Sequence, residues 1–190
     1  MEQLNERIRR EGVVLSDQVI KLDMLINHQV DPQLMMECGR EFARRFANDQ
    51  VTKVLTIESS GISVAFATAL ELRVPLVFAR RKKTLNAEKE AYCERVPSFT
   101  KGIVTDIVVS REFLQPGERV LLIDDIIANG DAARGLIRIV QRSGAALVGL
   151  GVVIEKAFQQ GARSIREQGI RVESLARILS LENGQIRLDS

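Results

Sequence analysis

Residues 120–133 read VLLIDDIIANGDAA. The apolar run Val120 to Ile123 suits a strand buried on both faces. It ends in two carboxylates, Asp124 and Asp125, followed by Ile126-Ile127 and then by Ala128, Asn129, Gly130, Asp131 and Ala132, which open a helix. Open α/β sheets bind ligands at the carboxyl ends of their strands, so the acid pair stands where such a fold does its chemistry. Small residues at a helix start let backbone N–H groups approach a phosphate, helped by about +0.5 charge at the helix N-terminus. Carboxylates accept hydrogen bonds from ribose hydroxyls. The stretch therefore reads as a ribose-phosphate cradle. An acid pair alone would as readily be a solvated helix cap, but the ordered series of strand, acids, apolar pair, small loop and helix is a much rarer coincidence.

On either side the chain alternates between buried strands and helices. VTKVLTI (51–57), ISVAFATALEL (62–72) and VPLVFA (74–79) read as strand, helix and strand, which implies a parallel sheet with helices against it. Beyond the opening stretch come a helix marked by Leu136, Ile139 and Val140 and closed at Ser143-Gly144, then strand GLGVVIE (149–155). A helix near Phe158 to Gln168, strand IRVESL (170–175) and a hairpin turning at Asn183-Gly184 follow. Upstream, Glu2 to Glu11 is a short helix and residues 12–32 are more strand and loop than helix. Asp31-Pro32 starts a helix in which Leu34, Cys38, Phe42 and Phe46 share one face, making Cys38 a small core residue. Strand IVTDIVVS (103–110) and a Pro116-Gly117 turn precede the opening stretch. The polar, Lys-rich residues Arg80 to Lys101 are expected to be a long connection that is functional or disordered. The expected fold is α/β, one domain over residues 1–190 with a central parallel sheet flanked by helices.

Composition narrows the function. The 190 residues are 45% hydrophobic and 27% charged, enough apolar content for a sizeable core. With 27 Lys+Arg against 25 Asp+Glu, the net charge of +2 implies no nucleic-acid surface. The longest apolar run, Ala145 to Ile154, is too short to cross a bilayer, and MEQLNERIRREG has no export-signal pattern, so a cytoplasmic location is expected. One histidine (His28), two cysteines and no tryptophan disfavour zinc clusters, disulfide scaffolds and base-stacking platforms.

Three further segments carry candidate chemistry. Ser59, Ser60 and Gly61 sit where a strand hands over to a helix and offer N–H groups to an anion, or form a simple helix cap. Arg80 to Lys83 is a basic run at a strand end, either a solvated face or a diphosphate contact. Lys156 follows a buried strand, where most lysines merely reach to solvent.

Together with EGVVLSDQV, IESSGI, FARRKK, VVIEKAF and RVESLARI, the 120–133 stretch resembles the signature of the type I phosphoribosyltransferases. The likeness covers nearly the whole chain and is greatest to bacterial members that act on xanthine. It implies transfer of the phosphoribosyl group of 5-phosphoribosyl 1-diphosphate (PRPP) to N9 of xanthine, giving XMP and diphosphate. By the resemblance, Asp124 and Asp125 contact the ribose hydroxyls, and Ala128, Asn129, Gly130, Asp131 and Ala132 hold the 5-phosphate. Ser59, Ser60, Gly61, Lys82 and Lys83 contact diphosphate. Ile20, Asn27, Lys156 and Phe158 surround the purine. Magnesium arrives with PRPP, the protein alone supplying no metal site. An N-terminal segment and the C-terminal hairpin form a hood, a loop at about 80–103 is mobile, and the enzyme is a homodimer.

The chain departs from the general signature at two points. Asn129 and Ala132 stand where many members have hydroxyls, and Ala128 where 6-oxopurine members have an acid considered a base toward the purine, so the resemblance does not carry that base over to this chain. A non-catalytic sensor of PRPP or purines with the same fold is the alternative, although residues before Asp31 leave no room for a separate DNA-binding helical domain. A phosphorelay receiver would need its acid pair on the first strand.

Overall fold

The computed structural model describes residues 1–82, 90–98 and 103–189, without the side chains of Asn27, Lys82, Ser98 and Ile103. Helix α1 (Glu2–Glu11) leads into a hairpin of β1 (Val13–Ser16) and β2 (Val19–Lys21), a π-helical turn at Asp23–Asn27, and α2 (Pro32–Arg45). Asp31 caps α2 by accepting from Leu34 N at 3.1 Å. Arg7 of α1 reaches the same carboxylate at 2.8 Å, fastening the first helix to the start of the second.

The remaining elements are β3 (Lys53–Ile57), α3 (Gly61–Leu72), β4 (Leu76–Lys82), β5 (Ala91–Ser98), β6 (Ile103–Ser110), β7 (Arg119–Ile127), α4 (Asp131–Ser143), β8 (Ala146–Lys156), α5 (Gly161–Arg166), β9 (Val172–Ser180) and β10 (Arg187–Leu188). Eight strands form one sheet in the order β10-β9-β8-β7-β3-β4-β6-β5. The five strands from β9 to β4 run parallel, and antiparallel strands close both edges. All five parallel strands therefore end on the same edge, and β7 lies in the middle of them.

The run at 120–123 is apolar throughout because both faces of β7 are covered. Leu121 and Ile123 pack into a core with α2, α3 and the N-terminal segment, while Val120 and Leu122 pack into a second core with α4 and α5. Phe42 of α2 is fully buried. It lies so close over β8 that a Cβ on Gly151 would come within 2.7 Å of its ring. Truncating such a side chain costs about 3–5 kcal/mol. Cys38 is buried in the same core, and that burial pushes its thiol up to about 12, as suits a packing residue. No helix among the described residues is long and apolar enough to cross a membrane.

Three sequence expectations need correction. Residues 91–98, expected as part of a featureless connection, are the edge strand β5, paired with β6 over its full length. Its apolar residues Tyr92 and Val96 are buried, and its charged Glu94 is neutralised by Arg138 and Arg142 of α4. Paired charges let a polar sequence lie against the domain. Strand β4 also continues through Arg80, Arg81 and Lys82, because β6 pairs with those three residues. Helix α5 is shorter than expected, since residues 157–160 form a turn.

Candidate active site

Toward the carboxyl edge of the parallel strands lies Asp124 of β7, only 9% exposed. Helix α3 begins directly against it. A Cβ on Gly61 would lie 2.6 Å from Asp124 Oδ1 and 2.6 Å from Thr56 Oγ1. The Thr56 hydroxyl is buried with no hydrogen-bond partner among the described residues. Burial, the charge of Asp125 and a hydrogen bond with it hold the Asp124 carboxyl well above its ordinary value, against the weaker opposing pull of the Asp125 amide and of Arg81. Asp124 Oδ1 accepts that amide at 3.0 Å. Of the two acids Asp124 lines a cavity of about 170 Å³, while Asp125 is half-buried beside it.

The other wall of this cavity is the loop Ala128 to Ala132 at the start of α4. Gly130 takes a left-handed conformation, φ 83°, which only a residue without a Cβ adopts at no steric cost. Beneath the loop lies Gly161, the first residue of α5, whose N–H donates to Ala128 O at 3.1 Å. A Cβ there would fall 2.2 Å from that same oxygen and 2.7 Å from Gly130 N. The loop thus rests on the bare backbone of another helix start. Amides at the N-terminus of a 13-residue helix, beside a buried carboxyl, can bind a phosphate and a neighbouring hydroxyl-bearing sugar together.

Ser59 and Ser60 lie in the turn between β3 and α3, with Ser60 at the N-cap position. Gly61 links that turn to Asp124, so the structure brings this segment to the same edge, though none of the three lines the cavity. Lys83 and the side chain of Lys82 lie outside the described residues. Among the described residues the cation that reaches the cavity is Arg81, a member of the basic run that the resemblance passes over in favour of Lys82 and Lys83. Its backbone N donates to Glu58 Oε1 at 2.5 Å and its Nε to Glu58 O at 3.1 Å. Arg80 instead pairs with Glu58 at 2.9 Å and lies over Phe78. Period-two alternation in a strand sends the two arginines to opposite faces, and that signal was present once β4 was extended to include them. Val96 and Pro97 of β5 also line the cavity and were missed for the same reason.

Of the purine candidates, Ile20 is buried in β2, Phe158 is half-buried against the core beneath the N-terminal segment, and Lys156 ends β8. The side chain of Asn27 lies outside the described residues. Lys156 Nζ donates to Gln18 O at 2.9 Å, and Gln159 Nε2 to Gln18 Oε1 at 3.2 Å, so the β1–β2 turn is fastened over the end of β8. Burial pulls the Lys156 ammonium below its ordinary value. Next to it Glu155 is 3% exposed, held by both terminal nitrogens of Arg166 and by Ser174. Among the described residues no group of three or more His, Cys, Asp or Glu converges as a metal site.

A parallel sheet with a buried carboxyl beside an amide-lined loop at its carboxyl edge defines a phosphoribosyl-handling fold. Residues 29–174 match the phosphoribosyl transferase domain, and the chain belongs to that family. It is 57% identical to the xanthine phosphoribosyltransferase of Moorella thermoacetica, over 98% of this chain and 95% of that protein. It is 54% identical to the enzyme of the same name from Geobacillus thermodenitrificans (98% and 96% covered) and 51% identical to that of Stutzerimonas stutzeri (98% and 98%). Among solved structures, the fold is similar to adenine phosphoribosyltransferase from Rhodothermus marinus, with a TM-score of 0.75 at 24% identity over 94% of this chain and 100% of that one.

Proposed function

We propose that this chain is a xanthine phosphoribosyltransferase: it transfers the 5-phosphoribosyl group of PRPP to N9 of xanthine, yielding XMP and diphosphate. The observation that carries the reading is the cavity shared by Asp124 and the Ala128–Ala132 loop. The near full-length likeness to proteins named for xanthine supplies the acceptor.

In this reading the 128–132 amides and the Asn129 side chain bind the 5-phosphate, and Asp124 and Asp125 accept from the ribose hydroxyls. Ser59, Ser60, Gly61, Lys82 and Lys83 face the diphosphate, with Arg81 added by its place in the cavity. Magnesium belongs to the substrate, bound to PRPP oxygens and water, and stabilises the leaving diphosphate. Charge held in fixed positions around an oxocarbenium-like ribose does the catalytic work, so no protein nucleophile is needed.

Lys156 retains two N–H donors beyond its bond to Gln18 and donates to the 6-oxo group. A lysine has no acceptor, which selects 6-oxo over 6-amino purines. Asn27 addresses the 2-oxo group, while Phe158 and Ile20 supply apolar contact. Exposed Phe78 and Phe113, which line one groove, support a homodimer, and a cytoplasmic location suits these substrates.

The test mixes purified protein, PRPP, magnesium and one of xanthine, guanine, hypoxanthine or adenine, and measures nucleotide and diphosphate. Preferred turnover of xanthine is expected. No turnover with any base would favour a non-catalytic sensor, and a preference for guanine would overturn the role given to Asn27.

A further inference from the structure

We infer that Arg134 is a positioning residue of the phosphate loop, holding its amides toward the ligand and cancelling the one negative charge within it. The inference rests on the phosphoribosyl reading above and extends it to a residue that does not line the cavity. One guanidinium spans both sides of Gly130. Its Nη2 donates to Asn129 O at 2.6 Å and to Asp131 Oδ1 at 2.9 Å, while Nη1 donates to Ser164 Oγ of α5 at 3.0 Å. Ser164 Oγ in turn donates to Gly161 O at 3.0 Å, and Gly161 is the residue on which the loop rests.

An amide cradle binds an anion only if its carbonyls face away. Drawing Asn129 O toward a cation on the far side of the loop fixes that orientation. The Asp131 carboxylate is the opposite problem, a fixed negative charge in the loop that must accept a phosphate dianion. The charge-assisted pair with Arg134 neutralises it. Arg134 thus acts through Asn129 and Asp131 rather than through the substrate.

The proposal is tested on the full chain by calorimetric titration with ribose 5-phosphate, alongside steady-state kinetics. Arg134→Ala should weaken ribose 5-phosphate binding about tenfold, the scale of one lost charge-assisted hydrogen bond. It should raise KM for PRPP similarly and leave KM for xanthine within about twofold. Arg134→Lys, which keeps the charge but not the fork, should recover only part of the loss, and Ser164→Ala should weaken binding by a few-fold. The effect of Asp131→Asn on binding should be more favourable by about threefold or more in the Arg134→Ala background than in the parent.

Additive effects of the two substitutions, full recovery by lysine with no effect of Ser164→Ala, or an equal loss in both KM values would overturn the positioning role. Failure of the parent to turn over xanthine would overturn the proposed function alone, because the ribose 5-phosphate titrations still judge Arg134. Failure of the parent to bind ribose 5-phosphate would overturn the inference.

Discussion

Gly61 and Asp124 approach so closely that a Cβ on the glycine would lie 2.6 Å from the carboxylate Oδ1. The first residue of α3 and Asp124 of β7 meet at the edge of the sheet where the candidate site lies. The buried acid is therefore packed against the backbone of a helix start, with no salt bridge among the described residues.

Gly61→Ala is expected to displace Asp124 and the fully buried Thr56 together. Turnover should fall about tenfold or more, with Tm lowered by a few degrees, since overpacking a tight site costs about 1–3 kcal/mol. Kinetics and calorimetry on the same preparation check this, and an unchanged kcat would show that Asp124 is free to move without consequence.

Asp124 and Asp125 should respond differently to conversion to amides. The folded carboxyl of Asp124 is raised, mainly by burial and then by Asp125. Its contribution to stability is thus greatest below the unfolded value of 3.8 and declines as pH rises toward the higher folded value. Asp124→Asn should raise Tm at neutral pH while lowering turnover, with each kcal/mol worth about 2–4 °C in a chain of this size. Asp125→Asn should sharply reduce turnover, and near-normal activity would show that the acid pair does not handle the ribose.

Gly161→Ala places a Cβ 2.2 Å from Ala128 O, a contact that only backbone movement can relieve. The expected result is an increase in KM for PRPP of about tenfold, with the xanthine KM little changed, if the loop binds the 5-phosphate. Equal changes in both constants would mean that α5 supports the whole edge rather than the loop.

Glu155 supplies a pH-dependent part of stability. Burial works to raise its carboxyl, but Arg166, Ser174 and Arg177 together outweigh it, and the folded value lies below the ordinary 4.5. The stabilisation is therefore fully present above pH 4.5 and is lost as pH falls through the lower folded value. Glu155→Gln should cost about 2 kcal/mol at neutral pH, and the difference from the parent should shrink as the solution is acidified below that range. A constant difference in urea midpoint across pH 3 to 7 would show that the charge is not what matters.

How much was legible depended on whether the signal was local. The β7 run, the acid pair and the 128–132 loop lie within fourteen consecutive residues, so composition and period announced the strand and the loop that opens α4. Helices α1 and α2 were legible from period and from the Asp31 cap. Strand β5 was not, because its Glu94 is neutralised by Arg138 and Arg142 of α4, more than forty residues away, and no local pattern encodes that pairing.

The sequence by itself determined the class of fold, the acid pair at 124–125 and the loop that follows it, because each is written in contiguous residues whose period and chemistry agree, while packing decided that Asp124 is the buried one of the pair. Tertiary structure alone decided that Arg81 enters the cavity while Arg80 pairs with Glu58, that Gly161 underlies a loop more than thirty residues earlier, and that Lys156 meets the turn at Gln18. Those relationships depend on strand register and on which helix starts meet at one sheet edge. Both are set by packing between segments distant in the chain, where a shift of one residue would turn every side chain of a strand to its other face.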